Sequence, residues 1–236
     1  TLSLAKPYVQ YTVVGGPHPT ALKHAVLDEI PELDAAVVGE GEETFVTLLS
    51  WWESGMVTPV PSGVCVRGEV FSPASVPNIH QIAWPARQLL PNKAYRYLFA
   101  TQRGFGTIIS SRGCPFRCSF CDKSVSGSSW RARRASDVVD EMSEMVHRFG
   151  ISFINFYDDN FILNSGRVSA ICEEILSRGL KVEWKCEGRV DGVDLELLKL
   201  MRRAGCRTIA YGVESANPET LAFLRKDIRV EQTIEA

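Results

Sequence analysis

The chain has 236 residues, 45% of them hydrophobic and 23% charged, with a formal net charge of −2. That length holds one large or two small domains of ordinary globular composition, and the slightly acidic balance lacks the basic excess of a nucleic-acid binder. No apolar run reaches the ~18 residues of a membrane span, no secretory leader is legible, and seven cysteines, three of them clustered, point to a metal in a reducing, cytoplasmic setting rather than to disulfides.

In chain order, residues 9–14 are β-rich and close on Gly15-Gly16-Pro17-His18-Pro19, a strand followed by a tight turn. The spacing of Ala21, Leu22, Ala25, Val26 and Ile30 predicts a helix over 20–30. Residues 35–38 read as a short buried strand ending in Gly39-Glu40-Gly41-Glu42, and 43–52 as an amphipathic helix whose acidic start suits the macrodipole. Strand–helix–strand–helix with glycines at each strand end predicts a parallel doubly wound sheet. Residues 64–71 alternate around Arg67-Gly68 and read as a small hairpin. Residues 72–97, punctuated by Pro73, Pro77, Pro85 and Pro91, read as a linker.

A regular alternation then begins. An apolar run over 106–111 predicts the first strand, and strands over 153–157, 181–186 and 207–213 follow. Helices are predicted over 137–149 with Ser136 as N-cap, over 166–178, over 194–204 ending at Gly205, and from Asn217-Pro218-Glu219 onward. Four strand–helix units at about 30-residue spacing predict the first part of a parallel β/α barrel. Polar groups recur at the strand ends: the clustered thiols, Asp158 and Asp159, Arg189, then Glu214. Barrel active sites form on that face. The chain starts without Met and closes within a helical pattern at 230–236, so a piece of a longer protein, cut at both ends, is expected.

The densest chemistry lies in Arg112-Gly113-Cys114-Pro115-Phe116-Arg117-Cys118-Ser119-Phe120-Cys121, three thiols at C-x3-C-x2-C spacing. Thiolates this close repel one another unless a cation holds them. Zinc prefers four ligands, usually with a second cysteine pair; none follows, and His147 is the nearest downstream imidazole. An iron–sulfur cluster takes thiolates alone, and three on a four-iron cube leave one iron open. The spacing favours the cluster over zinc, and buried structural cysteines fit least. Cys65, Cys172, Cys186 and Cys206 lack ligand spacing and read as core. Trp130-Arg131-Ala132-Arg133-Arg134 reads as a solvated basic run or a contact for an anionic ligand.

Cys114, Cys118 and Cys121, with aromatic Phe120 before the last, resemble the signature of the radical S-adenosylmethionine (SAM) family. The resemblance implies a 4Fe-4S cluster on the three cysteines, whose open iron chelates the amino and carboxylate groups of SAM, with Phe120 near the adenine. The reduced cluster would cleave SAM to methionine and a 5′-deoxyadenosyl radical. Tyr157-Asp158-Asp159-Asn160-Phe161 resembles the family's second-strand motif and Gly212-Val213-Glu214-Ser215 its fourth-strand motif. Asp158, Asp159 and Glu214 are then expected to accept from the SAM ammonium or ribose, and Arg189 to pair with the methionyl carboxylate.

Gly15-Gly16-Pro17-His18 followed by Gly39-Glu40-Gly41-Glu42 resembles the second half of the cobalamin-binding domain that precedes many radical SAM barrels. The resemblance implies that these two loops flank the corrinoid's nucleotide tail, with His18 a turn histidine beside the ligand rather than on cobalt. Ala83-Trp84-Pro85-Ala86-Arg87 resembles the family's inter-domain crossing. The expected architecture is α/β: the C-terminal half of a doubly wound Rossmann-like cobalamin-binding domain over 1–71, a linker over 72–97, and the first four units of a partial radical SAM barrel over 98–236. The implied activity is cobalamin-dependent methyl transfer to an unactivated carbon. Cyclisation or other ring chemistry, RNA modification and a non-catalytic metal module are the alternatives. A small-molecule substrate and a one-electron reductant of flavodoxin or ferredoxin type are the implied partners, without membrane or nucleic acid.

Overall fold

The computed structural model describes residues 2–98, 100 and 104–236, with Lys93 described by its backbone alone. Two compact units result. One runs to Ile82 and takes in Asp122–Gly127; the other comprises Ala83–Cys121 and Ser128–Ala236.

In the first unit a short helix α1 (Leu2–Ala5) precedes β1 (Val13–Val14), α2 (Pro17–Leu22), α3 (Ala25–Glu29), β2 (Ala35–Val37), α4 (Glu42–Glu53) and β3 (Val64–Cys65). β1 and β2 run parallel, and β3 joins the other side of β2 antiparallel. All three residues of β2 are buried because both sheet faces are covered. Ala36 packs with Val26, Leu27, Leu33 and Cys65 on one side; Ala35 and Val37 pack with Leu48 and Val64 on the other. That is the period-2 alternation of a strand.

Two expectations are corrected here. The Gly-Gly-Pro-His stretch continues directly into α2, with Pro17 in its first turn. The helix expected over 20–30 is therefore two short helices, broken at Lys23, whose φ is 53°. The hairpin over 64–71 does not form: only Val64–Cys65 is a strand, and it pairs with β2. A turn does form at Arg67-Gly68, but no second strand follows it, and the Arg67 side chain is drawn the other way, donating to the carbonyls of Leu27, Ile30 and Leu33 beside the end of α3.

The second unit is a parallel sheet ordered β4 (Phe105–Ile108), β7 (Phe153–Phe156), β8 (Glu183–Gly188) and β9 (Cys206–Tyr211). The connecting helices are α5 (Ala135–Phe149), α6 (Ser165–Ser177) and α7 (Leu195–Arg203); α8 (Pro218–Phe223) and α9 (Val230–Glu235) follow β9. Every residue of β7 is buried, as a central parallel strand requires. Phe156, Phe161 and Trp184 form the aromatic heart of the core, with ring centroids 4.5–5.6 Å apart. Trp184 Nε1 donates to the Ala204 carbonyl at 2.9 Å, so its polar atom is satisfied at no cost to packing.

Three helices begin on side-chain caps that follow strand ends: Asn164 accepts from Arg167 N, Asp194 from Leu197 N and Asn217 from Thr220 N. α5 is the exception. Its N-cap is Arg134 in an extended conformation, and Ser136, expected as the cap, lies within the first turn with its hydroxyl on Asp137. Arg133 fixes this helix start instead, bonding the Asp137 carbonyl and the buried Glu141 carboxylate. Arg87 joins Glu141 from the linker at 2.6 Å. The basic run is thus partly structural, since Arg133 is a core ion-pair partner rather than a solvated charge.

One further feature had no sequence signal. After β4, β5 (Ser111–Arg112) pairs antiparallel with β6 (Arg131–Ala132), closing the base of the segment that carries the three thiols. Among the described residues no helix is long and apolar enough to cross a membrane.

Candidate active site

The thiol loop leaves β5 at Gly113, whose φ of 82° lies where a side chain would be strained. Asp159 Oδ2 accepts from Gly113 N at 2.7 Å, so an acid from the end of β7 fixes the turn. Further on, Ser119 N donates to the Leu224 carbonyl at 2.9 Å, and Cys121 N to the Cys118 carbonyl at 3.2 Å. Pinned at both ends, the loop presents Cys114, Cys118 and Cys121 to one cavity of about 300 Å³, whose wall also includes Phe120, Asp159, Arg189 and Glu214. Cys114 and Cys118 are half-buried and Cys121 is exposed. Among the described residues no three His, Cys, Asp or Glu side chains converge on a single ion position. Thiolates of a cube each meet a different iron, so a spread set of sulfurs is compatible with that group.

Asp158, beside Asp159, does not line the cavity. It is buried and accepts from Ser110 N, Ser110 Oγ and Ser111 Oγ, each at 2.6 Å. Burial pushes its carboxyl up from the usual range, against the pull of those bonds and of Arg167. Arg167 in turn bonds the Ser110 carbonyl and hydroxyl at 2.9 Å, and its own pKa is lowered, chiefly by burial. Asp158 thereby locks the end of β4 to the end of β7.

Arg189 lines the cavity, but all three of its nitrogens are engaged. Nε and Nη2 clasp Asp191 at 2.9 and 2.8 Å, Nη1 reaches the Lys226 carbonyl at 2.6 Å, and Nη2 also meets the Asp227 carbonyl at 3.1 Å. The guanidinium carbon lies 3.7 Å from the Phe116 ring centroid. The residue expected to take a ligand carboxylate is thus a clamp on the connector between α8 and α9.

Glu214 adopts a φ of 62° and accepts from Lys226 Nζ at 3.0 Å. Lys226 is buried on the cavity wall, with Nζ 5.7 Å from the Phe120 ring centroid. A Cβ at Gly212 would come within 2.8 Å of both Lys226 Nζ and Glu214 Oε1, so a side chain there would have to push the ends of this pair aside.

Two buried polar atoms on cavity-lining residues have no partner among the described residues: Asn160 Oδ1 and the Tyr211 hydroxyl. Burial pushes the Tyr211 phenol up. Native interiors rarely strand such atoms. Lys226 and Tyr211 were missed in the sequence. Asn160 sits inside the quoted Asp-Asp-Asn motif, whereas Lys226 lies in a loop without local signal.

The two glycine loops lie in the other unit. Thr20 bridges them: its Oγ1 donates to the Gly16 carbonyl at 2.6 Å and accepts from Gly39 N at 3.0 Å. Gly39 and Glu40 line a second cavity, of about 530 Å³, with Phe71, the proline-rich stretch Pro73–Pro77 and the small residues Ser124–Gly127. Gly15, Gly16, Gly41 and His18 do not line it. His18 is a helical residue of α2, exposed and 3.3 Å from Glu29.

A parallel β/α sheet that carries a sulfur-only donor set at its carboxyl rim defines an iron–sulfur enzyme of the barrel class. Over residues 108–236 the sequence matches the radical SAM superfamily, and the chain belongs to that superfamily. Membership brings SAM and a 4Fe-4S cluster as cofactors. The chain is 36% identical over 233 residues to an uncharacterized methyltransferase of Pyrococcus horikoshii, covering 96% of this chain and 50% of that protein. It is 34% identical over 239 residues to the anaerobic magnesium-protoporphyrin IX monomethyl ester cyclase of Cereibacter sphaeroides, covering 95% of this chain and 38% of the cyclase. The chain thus spans half or less of these relatives. Among solved structures, the radical SAM methyltransferase TsrM from Kitasatospora setae, with cobalamin and a 4Fe-4S cluster bound, shares the fold with a TM-score of 0.76 at 22% identity, over 99% of this chain and 48% of that one.

Proposed function

We propose that the whole protein is a cobalamin-dependent radical SAM enzyme that methylates an unactivated carbon of a small molecule. The observation that carries this reading is the convergence of Cys114, Cys118 and Cys121 on one cavity that is also lined by Phe120, Asp159, Glu214 and Lys226. With the cluster in place, the site supplies one-electron reductive cleavage of SAM. The chain's own residues do the positioning. The three thiolates hold the cluster, Asp159 fixes the loop that bears them, and Phe120 offers an aromatic face. Glu214, Asn160 and Tyr211 offer polar partners to the ligand's ammonium and hydroxyls.

In the first unit, Gly39 and Glu40 with the wall of the larger cavity would accept the corrinoid's nucleotide tail, and Thr20 would hold the Gly15-Gly16 loop against Gly39-Glu40-Gly41; the cobalamin-binding part proper would be 1–71. His18, paired with Glu29, takes no part. Residues 72–97 serve as the linker and 98–236 as the partial barrel. A flavodoxin- or ferredoxin-type protein in the cytoplasm would supply the electron. The similarity to the cyclase supports ring formation as a second reading of the same radical chemistry.

The test is anaerobic reconstitution of the full-length protein with iron and sulfide, followed by dithionite and SAM. Release of 5′-deoxyadenosine is expected. One equivalent of zinc, no sulfide and no SAM turnover would overturn the proposal.

A further inference from the structure

We infer that Lys226 is the cation that receives the carboxylate of SAM, held in readiness by Glu214. This rests on the reading above that SAM occupies the thiol cavity. The amino-acid end of SAM carries an anionic group, and a cavity that binds it needs a cation with donors to spare. Arg189, the cation expected from the sequence, is largely committed: four of its five N–H donors go to Asp191 and the carbonyls of Lys226 and Asp227. Lys226 differs. Its side chain is 7% exposed, Lys226 lines the same cavity, and the hydrogen-bond partner of its Nζ is Glu214 Oε1. An ammonium carries three protons, so donors remain for a ligand.

The surroundings are built to keep this ammonium in place. Arg189 grips the backbone at 226 and 227, and Arg225 and Asp227 take φ values of 51° and 53° on either side of it. Such left-handed non-glycine residues persist where surrounding contacts hold them, and they gather at ligand sites. Gly212 leaves the space that the Lys226–Glu214 pair occupies. The Phe120 ring, on the thiol loop itself, faces the ammonium at 5.7 Å. Arg189 is thus a positioning residue that acts through Lys226, and Lys226 is the residue that meets the ligand.

The experiment compares equilibrium binding of SAM and of 5′-methylthioadenosine to the reconstituted full-length protein. The second ligand keeps the nucleoside and the thioether but lacks the amino-acid end. Lys226→Met is expected to weaken SAM at least about tenfold, the scale of a lost charge-assisted hydrogen bond, and to leave 5′-methylthioadenosine within about twofold. Iron and sulfide content should be unchanged, and Lys226→Arg should recover most of the SAM affinity. Should Lys226→Met fail to fold, Lys226→Gln is read in the same way. Unchanged SAM affinity, or an equal loss for both ligands, overturns the inference. A wild-type protein that binds no SAM would instead overturn the proposed function, so the two failures are distinguishable.

Discussion

The two cavities are made of different material. The thiol cavity is walled by functional side chains: three sulfurs, three carboxylates, a lysine, an arginine, an amide and a phenol. The cavity beside Gly39 is walled largely by glycines, prolines and small or apolar residues, with Lys23 and Glu40 its charged members. The first kind of wall grips a ligand through a few strong donors and acceptors. The second lets the main chain lie close against a bulky one. The first should therefore fail when it loses a group, and the second when it gains atoms.

The sharpest way to break the first is Cys118→Ala. It should abolish the iron–sulfur absorption of the reconstituted protein, and an intact cluster would remove the ligand assignment. Next in size is a change that spares both cavity walls. Asp158→Asn replaces an acceptor of three bonds with a group that cannot accept them all, at a cost of about 3 kcal/mol in stability. Denaturant unfolding should show the loss, and an unchanged midpoint would mean that Asp158 does not lock the strand ends. Gly39→Val tests the second cavity. A β-branched residue at a φ of 83° is strained, so cobalamin binding by the full-length protein should weaken about tenfold while the cluster content stays the same. Equal loss of both cofactors would erase the distinction drawn between the cavities. The smallest effect belongs to His18→Ala. An exposed ion pair contributes little, so stability should change by under about 0.5 kcal/mol and both cofactors should bind as before.

What could be read from the sequence was local. The thiol spacing, the strand–helix alternation and the caps at Asn164, Asp194 and Asn217 each depend on residues within a few positions of one another, and the parallel sheet followed from them. What could not be read depends on long-range partners. Asp158 and Asp159 are equivalent in sequence, yet the end of β7 aims one into the core, onto Ser110 and Ser111, and the other at Gly113. Arg189 looked free for a ligand because its backbone partners lie 37 and 38 residues further on. The hairpin was misread because the alternation around Arg67 cannot reveal that its guanidinium seeks carbonyls near Leu33. Lys226 carried no pattern at all; it became visible only when the fold set it beside Glu214 and Phe120.

The bond from the Ser119 amide to the Leu224 carbonyl, backed by Ser119 Oγ to the Phe223 carbonyl 104 residues downstream, bears on how the protein matures. On the ribosome the three cysteines emerge long before the segment that tethers them. Any scaffold that delivers preassembled iron and sulfide to the nascent chain would meet an untethered loop. The settled geometry of the finished enzyme becomes available only after synthesis has passed α8, which makes delivery after that point the productive order of assembly.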